Sequence, residues 1–512
     1  MSQIGTYLLI GLAIFLGVVA ILAYKGWQQT NDMADFAIAG ATLGPYVLGA
    51  AFAATFSSAA TFVGYFAWSY DFGYANIWIF LALIFASPLA LILFAKRVRE
   101  INVDMESVSL PDWIGAYYDS QIMRVGVAIA VMFNFFYVGA QLTAGAQIFE
   151  VLLGWDYQTG LAFIVGLVTL YVLAGASYAD IYTDAFQALL MAALGIIVFV
   201  SGFWTLNANG LQLFSHVTAE LSAQDPSLVT PVNKDSAIYY SGLAIAAIFF
   251  LEFAFTAQPQ LFNKVLALDN PKNLRKMIGT YLILMTAFVL IIFGGFYFRV
   301  LNPGIEAADQ SIFLYVQNYF PPLLGASLGL VILSAALSTT DGLYIVLSTA
   351  VANDIFLKFL VAEDHIEMDD DRAERVSQYL AQVTIVLTGA IGYILVLNPP
   401  QYIGELIWVG IGGVAAATVA PVLFGIYLPD FVTRKGAISS LFSGVGGYVL
   451  ISQLYNIKSI FVQGSAAVLL SMGVMLAVSA ATEQEPNVAG NGLETTTTQS
   501  PASTGTQPTD DD

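Results

Sequence analysis

Cysteine is absent from all 512 residues. That excludes disulfides, thiolate-bound zinc, iron–sulfur clusters and thiol catalysis. Histidine is nearly absent. His216 and His365 are the only two, and both fall in polar stretches read as loops. A histidine-based catalytic site inside a membrane is excluded with them. Charge is scarce as well: 10% of residues are charged, against about 25% in soluble domains. So little charge cannot cover the surface of a soluble particle. The 17 basic residues form no patch, which excludes a nucleic-acid binder.

What is present is apolar. The chain is 58% hydrophobic, with a mean hydropathy of +0.75, and reads as an all-α polytopic membrane protein. A spanning helix needs about 20 apolar residues, and about thirteen stretches qualify by that criterion. They are roughly 5–24, 44–68, 75–95, 122–150, 159–177, 182–206, 237–260, 277–300, 322–354, 376–398, 402–428, 437–455 and 458–480. No positive segment precedes the first, so it reads as a span and not a cleaved signal. The ninth is too long for one straight crossing, and so is tilted or runs on beyond the bilayer.

Lys and Arg orient the chain. With the N-terminus outside, the inner loops hold Lys25, Lys96, Arg97, Arg99, Arg124, Lys264, Lys272, Arg275, Lys276, Lys358, Arg372, Arg375, Arg434 and Lys435, which is 14 of the 17. Only Lys234, Arg299 and Lys458 lie outside. The C-terminus is then cytoplasmic, in a multi-pass protein of the cell membrane. The net charge of −19 comes largely from an acidic run, Glu363 to Glu374, and from a Thr-, Ser- and Pro-rich tail over 483–512. That tail is expected to be disordered and to follow a membrane domain over 1–482. Acidic loops, low Lys and no Cys suggest a halophilic source.

A few polar groups interrupt the apolar spans. The second span carries Ala54-Thr55-Phe56-Ser57-Ser58-Ala59-Ala60-Thr61-Phe62-Val63-Gly64. Such a run either packs helices closely or breaks the helix, freeing carbonyls for an ion or solute. The ninth span carries Ala335-Ala336-Leu337-Ser338-Thr339-Thr340-Asp341. Residues three apart share a helix face, so the Ala335 carbonyl and the Ser338 and Thr339 hydroxyls converge as half a cage for a hard cation. Glu252 lies within the seventh span; it is either a neutral acid bonded to a neighbouring helix or a carrier of a proton or substrate amine. Asp184 reads as an interfacial charge at the start of the sixth span. At Gln258-Pro259-Gln260 a proline breaks the helix, five spans after the first interruption. Paired interruptions point to an inverted-repeat transporter.

At these residues the chain resembles the sodium/solute symporter family, over most of 1–455. The carriers are Ser58 to Gly64, the segment from Ser109-Leu110-Pro111-Asp112-Trp113 to Tyr118, Tyr171 to Gln187 with Thr183-Asp184, Gln258 to Lys264, Ala335 to Phe356, and Pro421 to Ala437. Three positions depart: Ala176 stands for a Gly, Gln260 for a His and Lys264 for an Arg. The resemblance implies about 13 helices around a 5+5 inverted-repeat, LeuT-like core, with repeats at about 43–206 and 237–428. It implies sodium-coupled symport of a small organic solute by alternating access, with no enzymatic activity. It maps Na⁺ onto the carbonyls of Ala54, Ser57 and Ala335 and the hydroxyls of Ser338 and Thr339. It maps a second cation or proton site onto Asp184 and Asp341. Solute then lies between the broken spans, beside Thr55, Ser58, Thr61, Tyr65, Glu252, Phe255 and Thr256. Sugar-carrying members place a Gln and an acid where this chain has Thr61 and roughly Phe80. Unpaired sugar hydroxyls are costly, so a carboxylate or amino acid is favoured.

The rivals are a proton-coupled permease of the same fold and a membrane solute sensor. The hydroxyl pair at 338 and 339 argues against the first. The tail of about 30 residues is short of a signalling domain, which disfavours the second. No nucleophile–base pair supports an intramembrane enzyme.

Overall fold

A computed structural model describes residues 2–399, 402–454 and 457–483. The expected disordered tail lies outside the described residues. Among them the regular elements are all helical; the one β-type contact is an isolated parallel bridge between Leu43 and Leu268.

Nine described helices are long and apolar enough to cross a bilayer, or ten if Gly242–Phe255 and Pro259–Leu266 count as one bent span. The count of thirteen is therefore not reached by length and apolarity. The shortfall has local causes. The second expected span is divided: its first half, Pro45–Phe56, has only 12 residues. The expected spans at 159–177 and 182–206 are not separated by a loop. The chain is helical throughout Tyr157–Thr205, with apolar portions at Tyr157–Leu173 and Ser177–Thr205.

Burial sorts the spans. The most apolar windows of Pro322–Val361 and Ile403–Tyr427 are 78% and 83% buried, whereas that of Gln3–Gln29 is 28% buried. The first two are the core, and the N-terminal helix lies at its edge. Gln3–Gln29 packs on Tyr157–Thr205 and on Pro322–Thr349. Pro45–Phe56 packs on the same two and on Leu274–Phe288. Asn134–Ile148 joins Pro322–Thr349 to Ile403–Tyr427. The C-terminal pair Arg434–Leu454 and Ile460–Ala481 closes over Ile403–Tyr427. Outward-facing Ile14, Leu170, Leu189 and Ile283 are all more than 60% exposed. Such side chains suit lipid and not water.

His216 corrects the sequence reading. It sits on a helix, Gln212–Gln224, outside the spans. His365 lies in the turn before Asp370–Leu395. The ninth span runs on as expected, through 12 residues of π-helix, Ala350–Val361. π-Helical turns are rare and collect at functional sites.

Candidate functional site

Two interruptions build the site. Pro45–Phe56 stops at Ser57, whose φ of −92° and ψ of 75° leave the helix. Small Ser and Ala residues there give little packing reason to continue. The chain re-enters a helix through a π-turn, Ala60–Gly64. The Ala59 amide, freed by the break, donates to Gln141 Oε1 at 3.0 Å. The other interruption lies between Gly242–Phe255 and Pro259–Leu266, which are bent by 44°. Pro259 has no N–H to give, and Gln258 is extended, with φ −64° and ψ 144°. The Gln258 backbone N–H donates to the Phe255 carbonyl at 2.9 Å, and its side-chain Nε2 donates to the Ile411 carbonyl at 3.0 Å.

The first break abuts the hydroxyl pair. Thr339 Oγ1 donates to the Thr55 carbonyl at 3.2 Å. Ser338 adjoins the carboxylate of Asp184, which also accepts from Thr55 Oγ1 at 2.5 Å. Ser338, Thr339, Thr55 and Asp184 are all wholly buried. The sequence reading of Asp184 as an interfacial charge is thus corrected: it lies inside the bundle. The reason is a cation that the sequence reading counted among the inner-loop charges and noted as a departure from the family pattern. Lys264 is 2% exposed and lies on the Pro259–Leu266 helix inside the bundle, not in a loop. Lys264 Nζ sits 2.5 Å from Asp180 Oδ2 and 2.8 Å from Asp184 Oδ2. Oxygens of Asp180, Asp184 and Asp341 lie within 4.8 Å of one another. Asp341 accepts from the Tyr171 hydroxyl and from the Gly342 amide at 2.9 Å.

Asp180 was missed altogether. Its signal was its position four residues before Asp184, on the same helix face. Gln141 was missed too, with no local pattern to mark it, and Tyr171 was read only as the start of the Tyr171–Gln187 family segment, not as a site residue. Ala54, Ser57 and Ala335 are wholly buried, and the Ser57 hydroxyl points to Met285 Sδ at 3.2 Å. Thr55, read as a solute contact, turns its side chain to the acids.

The remaining solute candidates make separate contacts, of which that between Tyr65 and Glu252 joins two of them. Tyr65 donates to Glu252 Oε1 at 3.3 Å, while Glu252 Oε2 has no partner among the described residues. Asn76 holds the Tyr65 carbonyl at 2.8 Å and accepts from Tyr239. Ser58 bonds to Tyr137. The Phe255 ring lies 4.5 Å from Phe56 in a tilted contact and 5.8 Å from Trp408 in an edge-on one. Thr61 is buried. Thr256 is turned away, to the Ser87 carbonyl at 3.4 Å.

An apolar bundle with two broken helices, buried hydroxyls facing a freed carbonyl and a Lys–carboxylate cluster is the architecture of an ion-coupled membrane transporter. A sequence model of the sodium:solute symporter family matches residues 36–444. The chain belongs to that family, whose coupling ion is Na⁺ and whose members are transporters. It is 26% identical over 455 residues to a sodium/pantothenate symporter of Haemophilus influenzae, covering 87% of this chain and 90% of the relative. It is 24% identical over 474 residues to a sodium/proline symporter of Staphylococcus aureus, covering 89% and 88%. Among solved structures it resembles a Na⁺-coupled sialic acid symporter in a substrate-bound, outward-open state. That match has a TM-score of 0.75 at 15% identity and covers 95% of this chain and 99% of the other. The fold is therefore all-α and LeuT-like, with a 5+5 inverted-repeat core.

Proposed function

We propose that this protein imports a small carboxylate-bearing solute, most simply an amino acid or other zwitterion, together with Na⁺. One observation carries the sodium site: the Thr339 hydroxyl meets the carbonyl end of the broken helix at 3.2 Å. Na⁺ binds there to the carbonyls of Ala54, Ser57 and Ala335 and the hydroxyls of Ser338 and Thr339. The donor set is all oxygen, as a hard cation requires. The ion ties the broken helix to the Pro322–Thr349 helix and so sets the shape of the neighbouring solute pocket. Asp184 and Asp341 form the adjoining cation cluster.

The solute lies between Ser58, Thr61 and Tyr65 on one side and Glu252 and Phe255 on the other. Its carboxylate faces the N-terminus of the resumed helix, where the helix dipole favours an anion. Its amine faces the free oxygen of Glu252. Two relatives are named for pantothenate and proline, and both of those solutes carry a carboxylate. The repeats, about 43–206 and 237–428, rock against each other to release solute inside. The bias of Lys and Arg along the sequence supports an N-terminus outside and a C-terminus within, in the cell membrane.

The test is Ser338→Ala with Thr339→Ala. Each contact to a charge is worth about 1.5–3 kcal/mol, so Na⁺ affinity should fall by tenfold or more. Thermal unfolding of the purified protein across a Na⁺ series reads this, and an unchanged Na⁺ dependence rejects the site. A solute library screened the same way in Na⁺ and in K⁺ names the substrate. Glu252→Gln should then lose response to amine-bearing hits while keeping the response to Na⁺.

A further inference from the structure

We propose that the Lys264 ammonium is the resident cation of the Asp180–Asp184–Asp341 cluster, so that this symporter couples to one Na⁺ and not two. The proposal rests on the sodium site at Ser338 and Thr339 and adds what stands beside it.

Three buried carboxylates this close repel one another in a low-dielectric interior, and either protons or a cation must offset their charge. Lys264 supplies a cation from the protein itself. It is 2% exposed and contacts Asp180 and Asp184 at 2.5 and 2.8 Å. A Lys ammonium is a compact point charge, closer to an alkali ion in shape than the planar fork of an Arg. The adjoining cleft, lined by Asp180, Gln260, Asn263, Lys264 and Gly342, has a volume of about 10 Å³. That is room for no more than one water, so ammonium and a second ion do not fit together.

A second observation marks the cleft as a ligand position. Gln260 lines it and is 2% exposed, yet among the described residues neither its Nε2 nor its Oε1 has a partner. Asp180 Oδ1 and Asp184 Oδ1 are likewise without one. With the ammonium removed, these oxygens and the oxygens of Asp341 provide what a second Na⁺ needs. Asp184 connects the two positions, since its Oδ2 accepts from both Lys264 and Thr55, and the Thr55 carbonyl is held by Thr339.

The experiment counts Na⁺ on the purified full chain without needing the solute. NaCl is exchanged for choline chloride at constant ionic strength while thermal unfolding is followed. Near saturation, stability rises with ln[Na⁺] in proportion to the number of bound ions. The expected slope corresponds to one ion in the wild type, one in Lys264→Arg and two in Lys264→Gln. Should Lys264→Gln not fold, Lys264→Gln with Asp180→Asn keeps the net charge, leaves Asp184 and Asp341 to the ion, and carries the same expectation of two. Two ions in the wild type, or one in the glutamine variants, overturns the proposal. No Na⁺ response in the wild type, or an unchanged one in Ser338→Ala/Thr339→Ala, overturns instead the sodium site on which it rests.

Discussion

Single residues set several of the constraints here. Gly73 follows the resumed half of the broken helix with φ of +59° and ψ of −138°, a region that side-chain-bearing residues rarely enter. A Cβ there would stand 2.0 Å from the Leu228 carbonyl oxygen. Gly73 therefore lets the 226–229 segment close down on the helix end. Gly73→Ala should destabilise the protein by about 2 kcal/mol or more, from backbone strain and overpacking together. A lowered thermal midpoint in Na⁺ is the readout, and an unchanged midpoint would show that the loop simply moves. At this scale the sequence showed which groups were unusual but not where they pointed. Ser338, Thr339 and Glu252 were legible because a polar group in a span is costly. Asp180 was not, because a carboxylate near a predicted helix end looks like an ordinary surface charge.

Elements show a different balance. Both interruptions were readable, at Ser57 and at Pro259, because small residues and proline act on the local backbone. Span boundaries were less so. Nothing local says that Tyr157–Thr205 continues as helix where a loop was expected. Ends of elements also carry pH sensitivity. Asp309 lies between spans and accepts from the Ile403 amide at 2.7 Å, anchoring the start of Ile403–Tyr427. Burial, helped by Asp71 and Glu405, raises its carboxyl to about 7 against the pull of that amide bond. The sign follows from proton counts. From about pH 4 to pH 7 the folded chain keeps a proton that the unfolded chain has released. Stability from this group therefore falls as pH rises through that window and is fully lost above it. Asp309→Asn should flatten the dependence between about pH 4 and pH 7 in thermal unfolding scans. An unchanged profile would place the pH sensitivity elsewhere.

The whole molecule couples these parts through packing that no element holds alone. In the proposed function Na⁺ and solute meet the same broken helix, so the factor by which one changes the other's affinity is the same in both directions. Na⁺ should raise the thermal midpoint in a concentration-dependent way, while K⁺ at equal ionic strength should not. A solute hit found in the library should shift the Na⁺ midpoint downward by the factor by which Na⁺ tightens the solute. Unequal factors would mean that the two ligands do not share one equilibrium.

Composition alone determined that this chain lives in a bilayer, since 10% charge cannot clothe a soluble body. Local chemistry determined where its helices break. Only the tertiary structure decided that Lys264, carried 84 residues beyond Asp180, inserts between that acid and Asp184, and that Asp341 closes the group. The physical reason is range. Hydropathy and helix breaking act over a few residues of backbone, whereas a buried charge is stable only beside a partner, and the fold alone brings that partner to it.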